Sequence, residues 1–322
     1  MSETPRARVA LDLMGGDSAP DAVIDGALLV ADERPDVQVV LVGPEEVAAE
    51  HLDRRNATGR FAVVNATQHV GMDEDPIRAV RAKRDCSVRV AARLVRDGHA
   101  DATVSAGSTG AAMAAALFSL GRLPGVRRPA IAVVVPALHG PVVLLDAGAN
   151  PDAGPDLLAQ FALTGVAYAT SRLGIERPRV GLLSNGAEPG KGDDTRRTAY
   201  ALLGALPVEF VGNVEGHDVA LGGPADVVVT DGFTGNVLLK GIEGALAMAG
   251  GTLPERLDPE RLGGALLLGV AGIAVLGHGA SSPRAIASCV GVAADAVADG
   301  LLPRLTDALD GLVHRVPVGA TP

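Results

Sequence analysis

The sequence predicts an α/β protein with a doubly wound, mostly parallel but mixed sheet in an α/β/α sandwich. Three observations lead to this prediction. Short runs rich in Val, Ile and Leu recur along the 322 residues. Segments suited to helices separate most of these runs, and Gly, Asp or Asn often follows a run, as at turns that lead from a strand into a helix. Buried strands that alternate with helices are typical of a parallel sheet covered on both faces.

Helices are predicted between most of the strands, for example over Asp156–Arg172 and Gly235–Ala249. Only Ala137–Gly140 separates the fifth strand from the sixth, so these two are expected to pair as a hairpin, which makes the sheet mixed. The apolar segment 262–279 carries five Gly before Gly279 and is predicted as a helix, a turn and a buried strand rather than a membrane span. The predicted strands are residues 8–13, 37–43, 60–66, 100–106, 130–136, 141–147, 179–185 and 225–232.

The sequence shows no internal repeat, no low-complexity linker and no clear domain boundary. Its length suits either one extended domain or two close lobes. We predict a single α/β domain over residues 1–316 and a flexible tail at 317–322.

The composition excludes several classes of function. Asp and Glu (38) outnumber Lys and Arg (28), and the net charge of −10 argues against a nucleic-acid partner. Two cysteines, Cys86 and Cys289, are too few for a disulfide framework and are predicted as packing residues of a cytoplasmic protein. The first residues lack the features of a signal peptide.

No cofactor and no metal is predicted. The first strand is not followed by a GxGxxG fingerprint, and the seven His are scattered. Four carboxylates could in principle hold Mg²⁺ but are interpreted as solvated or capping groups: Asp146, Asp152, Asp193 and Asp194.

Polar residues gather where the predicted strands end. In an open α/β sheet, ligands bind at the carboxyl ends of the strands, so several such ends together predict a long polar cleft. The sequence has five, at Asp12–Asp17, Ser105–Gly110, Asp146–Asn150, Ser184–Lys191 and Asp231–Asn236.

The stretch SAGSTG at 105–110 precedes an Ala-rich helix. A Gly-rich turn before a helix presents backbone N–H groups at the positive end of the helix dipole, which suits an anion such as phosphate. Ser108 and Thr109 would add hydroxyl donors. A tight turn with an ordinary cap is the alternative interpretation. The same two interpretations apply to Asp231–Asn236, where Lys240 follows about one turn into the next helix.

A basic segment lies between residues 78 and 96. Arg89, Arg93 and Arg96 are spaced to share one face of a helix, and Asp85 is the one acid before Asp97. The segment is interpreted either as a solvated face or as a docking surface for an acidic partner. The predicted docking residues are Arg78, Arg81, Lys83, Arg84, Arg89 and Arg93.

Seven motifs, collinear from about residue 8 to 300, together resemble the PlsX family. They are DLMGGDSAPD (12–21), the Arg-rich segment that runs into VSAGSTGAAMAAALFSLGRLPGVRRPAIA, LLDAGANPD (144–152), RVGLLSNGAEPGKGDD (179–194), FVGNVEGHD (210–218), DVVVTDGFTGNVLLKGIEG (226–244) and GVAGIAVLGHGASSPRAI (269–286).

The resemblance implies a phosphate:acyl-acyl-carrier-protein acyltransferase. Such an enzyme moves a long fatty acyl group from acyl carrier protein to inorganic phosphate, and the acyl phosphate feeds phosphatidic acid and phospholipid synthesis. The resemblance also implies a fold like that of isocitrate and isopropylmalate dehydrogenases and of phosphotransacetylases, a homodimer, and a downstream glycerol-3-phosphate acyltransferase. Weak peripheral contact with the inner face of the membrane is a further expectation. The segment at 245–261 is shorter than in the family and offers a small apolar tip at Leu246, Met248 and Leu253.

Phosphate is itself the nucleophile in this reaction, so the enzyme has to hold it, align it and stabilise the oxyanion. On the resemblance, Lys191, Asn236 and Lys240 are candidates to neutralise charge or polarise the carbonyl. His278 is a candidate proton donor to the thiolate, with a core or capping role as the alternative. The predicted phosphate site is Gly107, Ser108, Thr109 and Gly110, and the residues predicted to shape the cleft are Asp12, Asp17, Asn150 and Asp231.

Three positions depart from the family pattern. Ser18 stands where His is common, Ser108 replaces the usual Asn, and Ala187 replaces a usual Glu. Three other functions stay open. They are a phosphotransacetylase-like enzyme that uses acyl-CoA, an NAD-dependent decarboxylating dehydrogenase on the related fold, and an inactive scaffold of lipid synthesis.

Overall fold

The computed structural model describes residues 7–248, 258, 260 and 263–313. The chain forms two compact units. The first comprises Met1–Gly121 and Glu260–Asp299, and the second comprises Arg122–Pro259 and Gly300–Pro322. The predicted tail at 317–322 and Leu253 lie outside the described residues. The single domain over 1–316 stays a prediction.

The elements follow one another in chain order. The first unit opens with β1 (Ala7–Asp12), α1 (Asp21–Glu33), β2 (Val37–Gly43), α2 (Glu45–Asp53), β3 (Ala62–Asn65), α3 (Pro76–Ala82), α4 (Ser87–Arg96), β4 (Ala102–Ser105) and α5 (Thr109–Ser119). The second unit contributes β5 (Ala130–Val135), β6 (Val142–Leu145), α6 (Pro155–Leu173), β7 (Arg179–Leu183), α7 (Asp194–Gly204), β8 (Glu209–Val214), α8 (Gly216–Leu221), β9 (Val227–Val229) and α9 (Gly232–Met248). The chain then returns to the first unit for β10 (Ala265–Leu268), β11 (Ile273–Leu276) and α10 (Pro283–Ala298), and ends in the second with α11 (Leu301–Val313).

The strands of the first unit lie in the order β3-β2-β1-β4-β11-β10. Every neighbouring pair is parallel except β10 and β11, which form an antiparallel hairpin. The helix predicted at the start of 262–279 is therefore wrong. The apolar run Ala265–Leu268 is too short for its period to distinguish a strand from a helix. A turn that begins at Gly269, with φ +99°, connects this strand to β11.

Two helices of the first unit pack closely on each other. A Cβ at Gly26 of α1 would lie 2.8 Å from the Cβ of Ile286 on α10, so glycine is what allows this approach. The face of α1 that becomes buried carries Ala22, Val23, Ile24, Ala27 and Val30. The first unit therefore depends on a helix that the chain supplies only near its end.

The strands of the second unit lie in the order β5-β6-β9-β7-β8. β5 and β6 pair antiparallel, with Val134 opposite Val143, which confirms the predicted hairpin. The other neighbouring pairs are parallel. The predicted α/β class with a mostly parallel, mixed sheet is thus confirmed. β8 is a strand that the sequence analysis did not predict.

Val, Leu, Ile and Ala build most of the interior, and the largest fully buried side chains are Tyr168 and Phe161. Cys86 and Cys289 are both buried, in agreement with a packing role. Burial raises the pKa of the Cys289 thiol to about 12.

No single described helix is both long and apolar enough to cross a membrane. Among the described residues, α10 and Leu301–Leu309 satisfy the requirement of length and composition when they are counted together, and neither satisfies it alone.

Candidate active site

The first unit joins the ends of β1 and β4 through a buried carboxyl group. Ser105 Oγ donates a hydrogen bond to Asp12 Oδ2 at 2.6 Å, and the Met14 N–H donates to Asp12 Oδ1 at 3.2 Å. Burial raises the pKa of Asp12, and the hydrogen bonds from Ser105, Ser87 and Met14 offset only part of that rise. Asp12 therefore fixes the loops after both strands.

The SAGSTG loop directs some of its donors inward and leaves others open. The Gly107 N–H donates to Ser105 Oγ at 3.2 Å, and Ser108 Oγ caps α5 by accepting the Ala111 N–H at 3.4 Å. Within the part of the chain that the structure describes, the N–H groups of Ser108, Thr109 and Gly110 have no acceptor. The donors that remain for an anion are thus on Ser108, Thr109 and Gly110, not on Gly107.

The loop after β11 lies against the loop after β1. The Asp17 N–H donates to the carbonyl oxygen of Gly279 at 2.8 Å. The exposed ring of His278 accepts a hydrogen bond at Nδ1 from the Ala280 N–H at 3.2 Å. Because Nδ1 accepts, a neutral His278 carries its proton on Nε2 and can donate it to a ligand. The first unit thus gathers Asp12, Asp17, His278 and the SAGSTG loop.

In the second unit, the loop after β6 is organised by Asp146. This fully buried carboxylate accepts the N–H groups of Ile131, Gly148, Ala149 and Asn150 and the side-chain amide of Asn150, at 2.6–3.1 Å. Asn150 Nδ2 also donates to the carbonyl oxygen of Pro129 at 2.7 Å. Asp146 is therefore a capping group, which was one of the two roles expected of it, and Asn150 holds the same loop.

The helix α9 starts on top of this loop. It begins at Gly232, three residues before the predicted start, because Asp231 caps it by accepting the Thr234 N–H at 2.9 Å and Thr234 Oγ1 at 2.8 Å. A Cβ at Gly235 would lie 2.0 Å from the Asp146 carbonyl oxygen, so only glycine permits this contact. The first turn of α9 then directs Asn236 Nδ2 to the carbonyl oxygen of Ala147 at 3.1 Å.

Arg196 is the functional candidate that the sequence analysis missed. Its side chain, 12% exposed, reaches from α7 to Asp231 with Nη2 2.5 Å from Oδ2. The same nitrogen donates to the hydroxyls of Thr230 and Thr234 at 3.2 Å, and Nε donates to the Leu183 carbonyl oxygen at 3.1 Å. Arg196 thereby connects the end of β7 with the start of α9.

The pairing sets the ionisation of Asp231. Burial alone would raise the pKa of this carboxyl, but the hydrogen bonds from Thr234 and Arg196 outweigh burial and lower it. Asp231 is thus a stable anion beside a fixed guanidinium. A sequence signal was present, because Arg196 lies at the start of a helix that follows a polar strand end, as Lys240 does.

The two predicted lysines differ from Arg196 in their exposure. Lys191 lies in the loop after β7 and Lys240 lies one turn beyond Asn236 on α9, and both side chains are exposed. Among the described residues, neither ammonium group has an ion-pair partner. The Gly192 N–H donates to Asn185 Oδ1 at 2.9 Å and shapes the loop that carries Lys191. The second unit thus holds Lys191, Asn236, Lys240, Asn150 and Asp231.

The predicted docking residues have unequal surroundings. Arg78 and Arg84 are exposed, and Arg81 lies over the ring of Phe118 with 5.2 Å between the guanidinium carbon and the ring centre. We call Arg78, Arg81 and Arg84 the basic face. Two apolar side chains beside it are also exposed: Ile77, which precedes Arg78, and Phe118, which Arg81 contacts.

The other three predicted docking residues are engaged within the first unit. Lys83 forms an ion pair with Glu74 at 2.6 Å. Arg89 donates from Nη1 to the Val80 carbonyl oxygen at 2.9 Å, and its Nε is buried without a hydrogen-bond partner among the described residues. Arg93 is close enough to Asp85 to lower the pKa of that carboxyl, although the hydrogen bonds from Thr67 contribute more. The helical spacing of Arg89 and Arg93 is confirmed by α4, but their cationic groups do not stand free.

Comparisons with known proteins agree with the resemblance. A model of the fatty acid synthesis protein family matches residues 7–257. The phosphate acyltransferase of Desulfitobacterium hafniense is 45% identical over 94% of this chain and 99% of its own length. The phosphate acyltransferase of Myxococcus xanthus is 45% identical over 93% of this chain and 92% of its own.

Solved structures show where the fold occurs elsewhere. The EutD phosphotransacetylase from Staphylococcus aureus has a TM-score of 0.66 and 17% identity, over 91% of this chain and 95% of its own. A phosphotransacetylase from Streptococcus pyogenes has a TM-score of 0.64 and 18% identity, over 96% of this chain and 95% of its own. At this identity the likeness concerns the fold alone. The match over residues 7–257 and the identity with the phosphate acyltransferases place the chain in the fatty acid synthesis protein family, the PlsX family that its motifs resemble.

Proposed function

We propose that this chain transfers a long-chain fatty acyl group from acyl carrier protein to inorganic phosphate, releasing acyl phosphate for phospholipid synthesis. The observation that carries the proposal is the start of α5, where the N–H groups of Ser108, Thr109 and Gly110 lack acceptors among the described residues. Backbone donors at a helix N-terminus suit phosphate. Family membership supports the acyl substrate.

The chemistry requires no nucleophile from the protein. A phosphate oxygen attacks the thioester carbonyl carbon, a tetrahedral oxyanion forms, and the carbon–sulfur bond breaks. In this proposal Lys191, Asn236 and Lys240 stabilise the negative charge of the tetrahedral oxyanion. Such stabilisation lowers the barrier most when the donors need not rearrange during the reaction. His278 donates its Nε2 proton to the thiolate. Asp12, Asn150 and Asp231 act as positioning residues, since each is hydrogen-bonded to the protein itself.

The basic face supports an acidic protein partner. Exposed guanidinium groups beside exposed Ile77 and Phe118 combine electrostatic attraction with apolar contact. We assign this surface to acyl carrier protein. A cytoplasmic homodimer with weak peripheral contact at the membrane, which passes acyl phosphate to a glycerol-3-phosphate acyltransferase, completes the proposal.

Charge reversal on the basic face should weaken the use of the carrier protein. The Arg78→Glu, Arg84→Glu double variant is expected to raise KM for acyl carrier protein about three- to tenfold at low ionic strength, with kcat unchanged, because exposed charges act mainly on association. The difference should shrink with added salt. Steady-state kinetics over a salt series measures both effects.

Arg177→Glu is the matched control, since Arg177 is exposed and lies in the second unit. It should leave KM unchanged. Arg89 is unsuitable for this test because its side chain is anchored on Val80. An equal KM for the double variant and the control would contradict docking at the basic face.

A thiol-release assay tests the proposed reaction. Purified protein is mixed with palmitoyl-acyl carrier protein, with and without inorganic phosphate, and acyl phosphate is trapped with hydroxylamine. We expect release that requires phosphate and yields one acyl hydroxamate per thiol. Palmitoyl-CoA is assayed in parallel.

The other outcomes each favour a different function. Release from palmitoyl-CoA alone would contradict the carrier-protein substrate and favour a phosphotransacetylase-like enzyme. No release from either substrate, by folded protein, would favour an inactive scaffold. Reversion of Ser108 to Asn and of Ala187 to Glu would then be the first changes to test.

A further inference from the structure

An apolar groove of about 450 Å³ lies along α9 in the second unit. Pro136 and Leu138 from the turn after β5 and Ala220 from α8 form one wall, and α9 forms the other. None of the described residues that line it has a polar side chain. The groove therefore offers contact to an alkyl group and no hydrogen bond from a side chain.

The helix lines the groove with two adjoining stripes. Val237, Gly241 and Ala245 are spaced by four residues, as are Leu238, Ile242 and Leu246, so each set follows one side of α9. Ile242 is buried in a core cluster with Val135 and Leu144, against which Leu238 and Leu246 pack. One stripe is thus fixed to the interior. The other stays open to solvent, with Val237 56% exposed.

The groove starts next to the candidate site residues of the second unit. Val237 directly follows Asn236, whose side chain contacts the loop after β6. Lys240 lies between Val237 and Gly241 in sequence, and Thr234, which contacts Arg196 and Asp231, is one turn before Leu238. From Val237 to Leu246 the helix advances about 14 Å away from its capped start.

We propose that this groove binds the hydrocarbon chain of the fatty acyl substrate, with the thioester end toward the first turn of α9. The inference rests on the proposed function and names the place of the acyl chain within it. The free energy gained when an alkyl chain is buried grows with the length of the chain. The groove supplies an apolar surface that begins beside the polar residues of α9. Leu138 and Val237, which solvent would otherwise contact, become covered by the chain.

Gly241 determines how much of the groove is free. A Cβ at this position would meet no atom within 4 Å, and the residue lines the groove. A Cβ at Gly241 therefore fits without a clash, and Gly241→Leu extends a side chain from this position on the groove wall. Gly244 offers the matched control: it is on the same helix, a Cβ there also meets nothing within 4 Å, and it does not line the groove.

The test measures chain-length dependence in the full-length protein. Phosphate-dependent release is assayed with hexadecanoyl- and butanoyl-acyl carrier protein for wild type, Gly241→Leu and Gly244→Leu, and binding of free hexadecanoic acid is measured by calorimetry. We expect Gly241→Leu to raise KM for the hexadecanoyl substrate at least tenfold. KM for the butanoyl substrate should stay within twofold of the wild-type value. Each methylene removed from the groove corresponds to about a fourfold loss in affinity. Gly244→Leu should behave as wild type.

The outcomes separate this proposal from the proposed function. Wild-type protein that releases thiol from neither substrate but binds hexadecanoic acid in a Gly241-dependent manner would overturn the proposed function and support the groove. The proposal that the groove binds the acyl chain would be overturned if Gly241→Leu changed KM equally for both chain lengths. It would also be overturned if the two leucine variants changed KM equally. A lower molar mass of Gly241→Leu by light scattering, with unchanged chain-length dependence, would show instead that a second copy of the chain covers this face.

Discussion

Replacement of Arg196 by alanine is expected to lower the free energy of unfolding by about 3–5 kcal/mol, because the variant leaves the buried Asp231 carboxylate without its cation. Acyl transfer should fall about 100-fold, since Thr234 and the first turn of α9 lose the contact that fixes them. Chemical denaturation and the thiol-release assay measure the two effects.

Arg197→Ala provides the control on the same helix, because Arg197 is exposed and pairs with the exposed Asp194. Its stability and activity should stay close to wild type. An Arg196→Ala variant as active and stable as Arg197→Ala would contradict the role assigned to Arg196.

The stability difference between the wild type and Arg196→Ala should depend on pH. In the wild type the pKa of Asp231 is lowered, so its ionised form stabilises the fold above the unfolded pKa, and this contribution is lost as the pH falls through the folded pKa. In the variant the hydrogen bonds from Thr234 remain, but the lowering due to Arg196 is lost, so the pKa of Asp231 lies higher than in the wild type. The difference in stability between the two proteins should therefore shrink from pH 7 towards pH 4.

The second large effect is expected at Gly15. A Cβ there would lie 2.8 Å from Asp12 Oδ2, 2.8 Å from the Gly107 nitrogen and 2.9 Å from Ser105 Oγ. Gly15→Ala should push apart the loops after β1 and β4 and lower the free energy of unfolding by about 1–3 kcal/mol. It should also raise KM for phosphate tenfold or more, because the backbone N–H donors at the start of α5 are displaced.

Gly154→Ala is the control for this substitution, since a Cβ there meets nothing within 4 Å. Phosphate titration at saturating acyl substrate distinguishes the expected rise in KM from a general loss of folded protein, which would lower kcat alone. An unchanged KM for phosphate in Gly15→Ala would argue that the phosphate binds elsewhere.

The fold could be predicted from the sequence where local pattern decides the structure. The run VQVVLVG became β2 over the same residues, and the short Ala137–Gly140 turn forced the hairpin of β5 and β6. The start of α9 was displaced because the prediction overlooked a cap in Asp231-Gly-Phe-Thr234. The β10–β11 hairpin was missed because a strand of four apolar residues has too few positions to show its period.

The site could be predicted only in part, for a different reason. Polar residues at strand ends follow from chain topology, so the positions of Asp12, Ser108, Asn150 and Asp231 at strand ends could be predicted, while their roles stay predictions. Roles depend on partners distant in sequence, which no local pattern contains. Arg196 bonds to Leu183 and Thr230, and the Gly107 N–H is satisfied by Ser105. Arg89 shares a helix face with Arg93 yet donates to the Val80 carbonyl oxygen.

The discontinuous first unit has a consequence for synthesis on the ribosome. β11 pairs with β4, and α10 covers the apolar face of α1, but both are translated only after residues 122–259. Until then the nascent chain exposes the edge of β4 and the side chains of Ala22, Val23 and Ile24. Unpaired strand edges and apolar helix faces promote aggregation, and closing such distant contacts slows folding. The nascent protein is therefore expected to depend on chaperones until translation has passed α10.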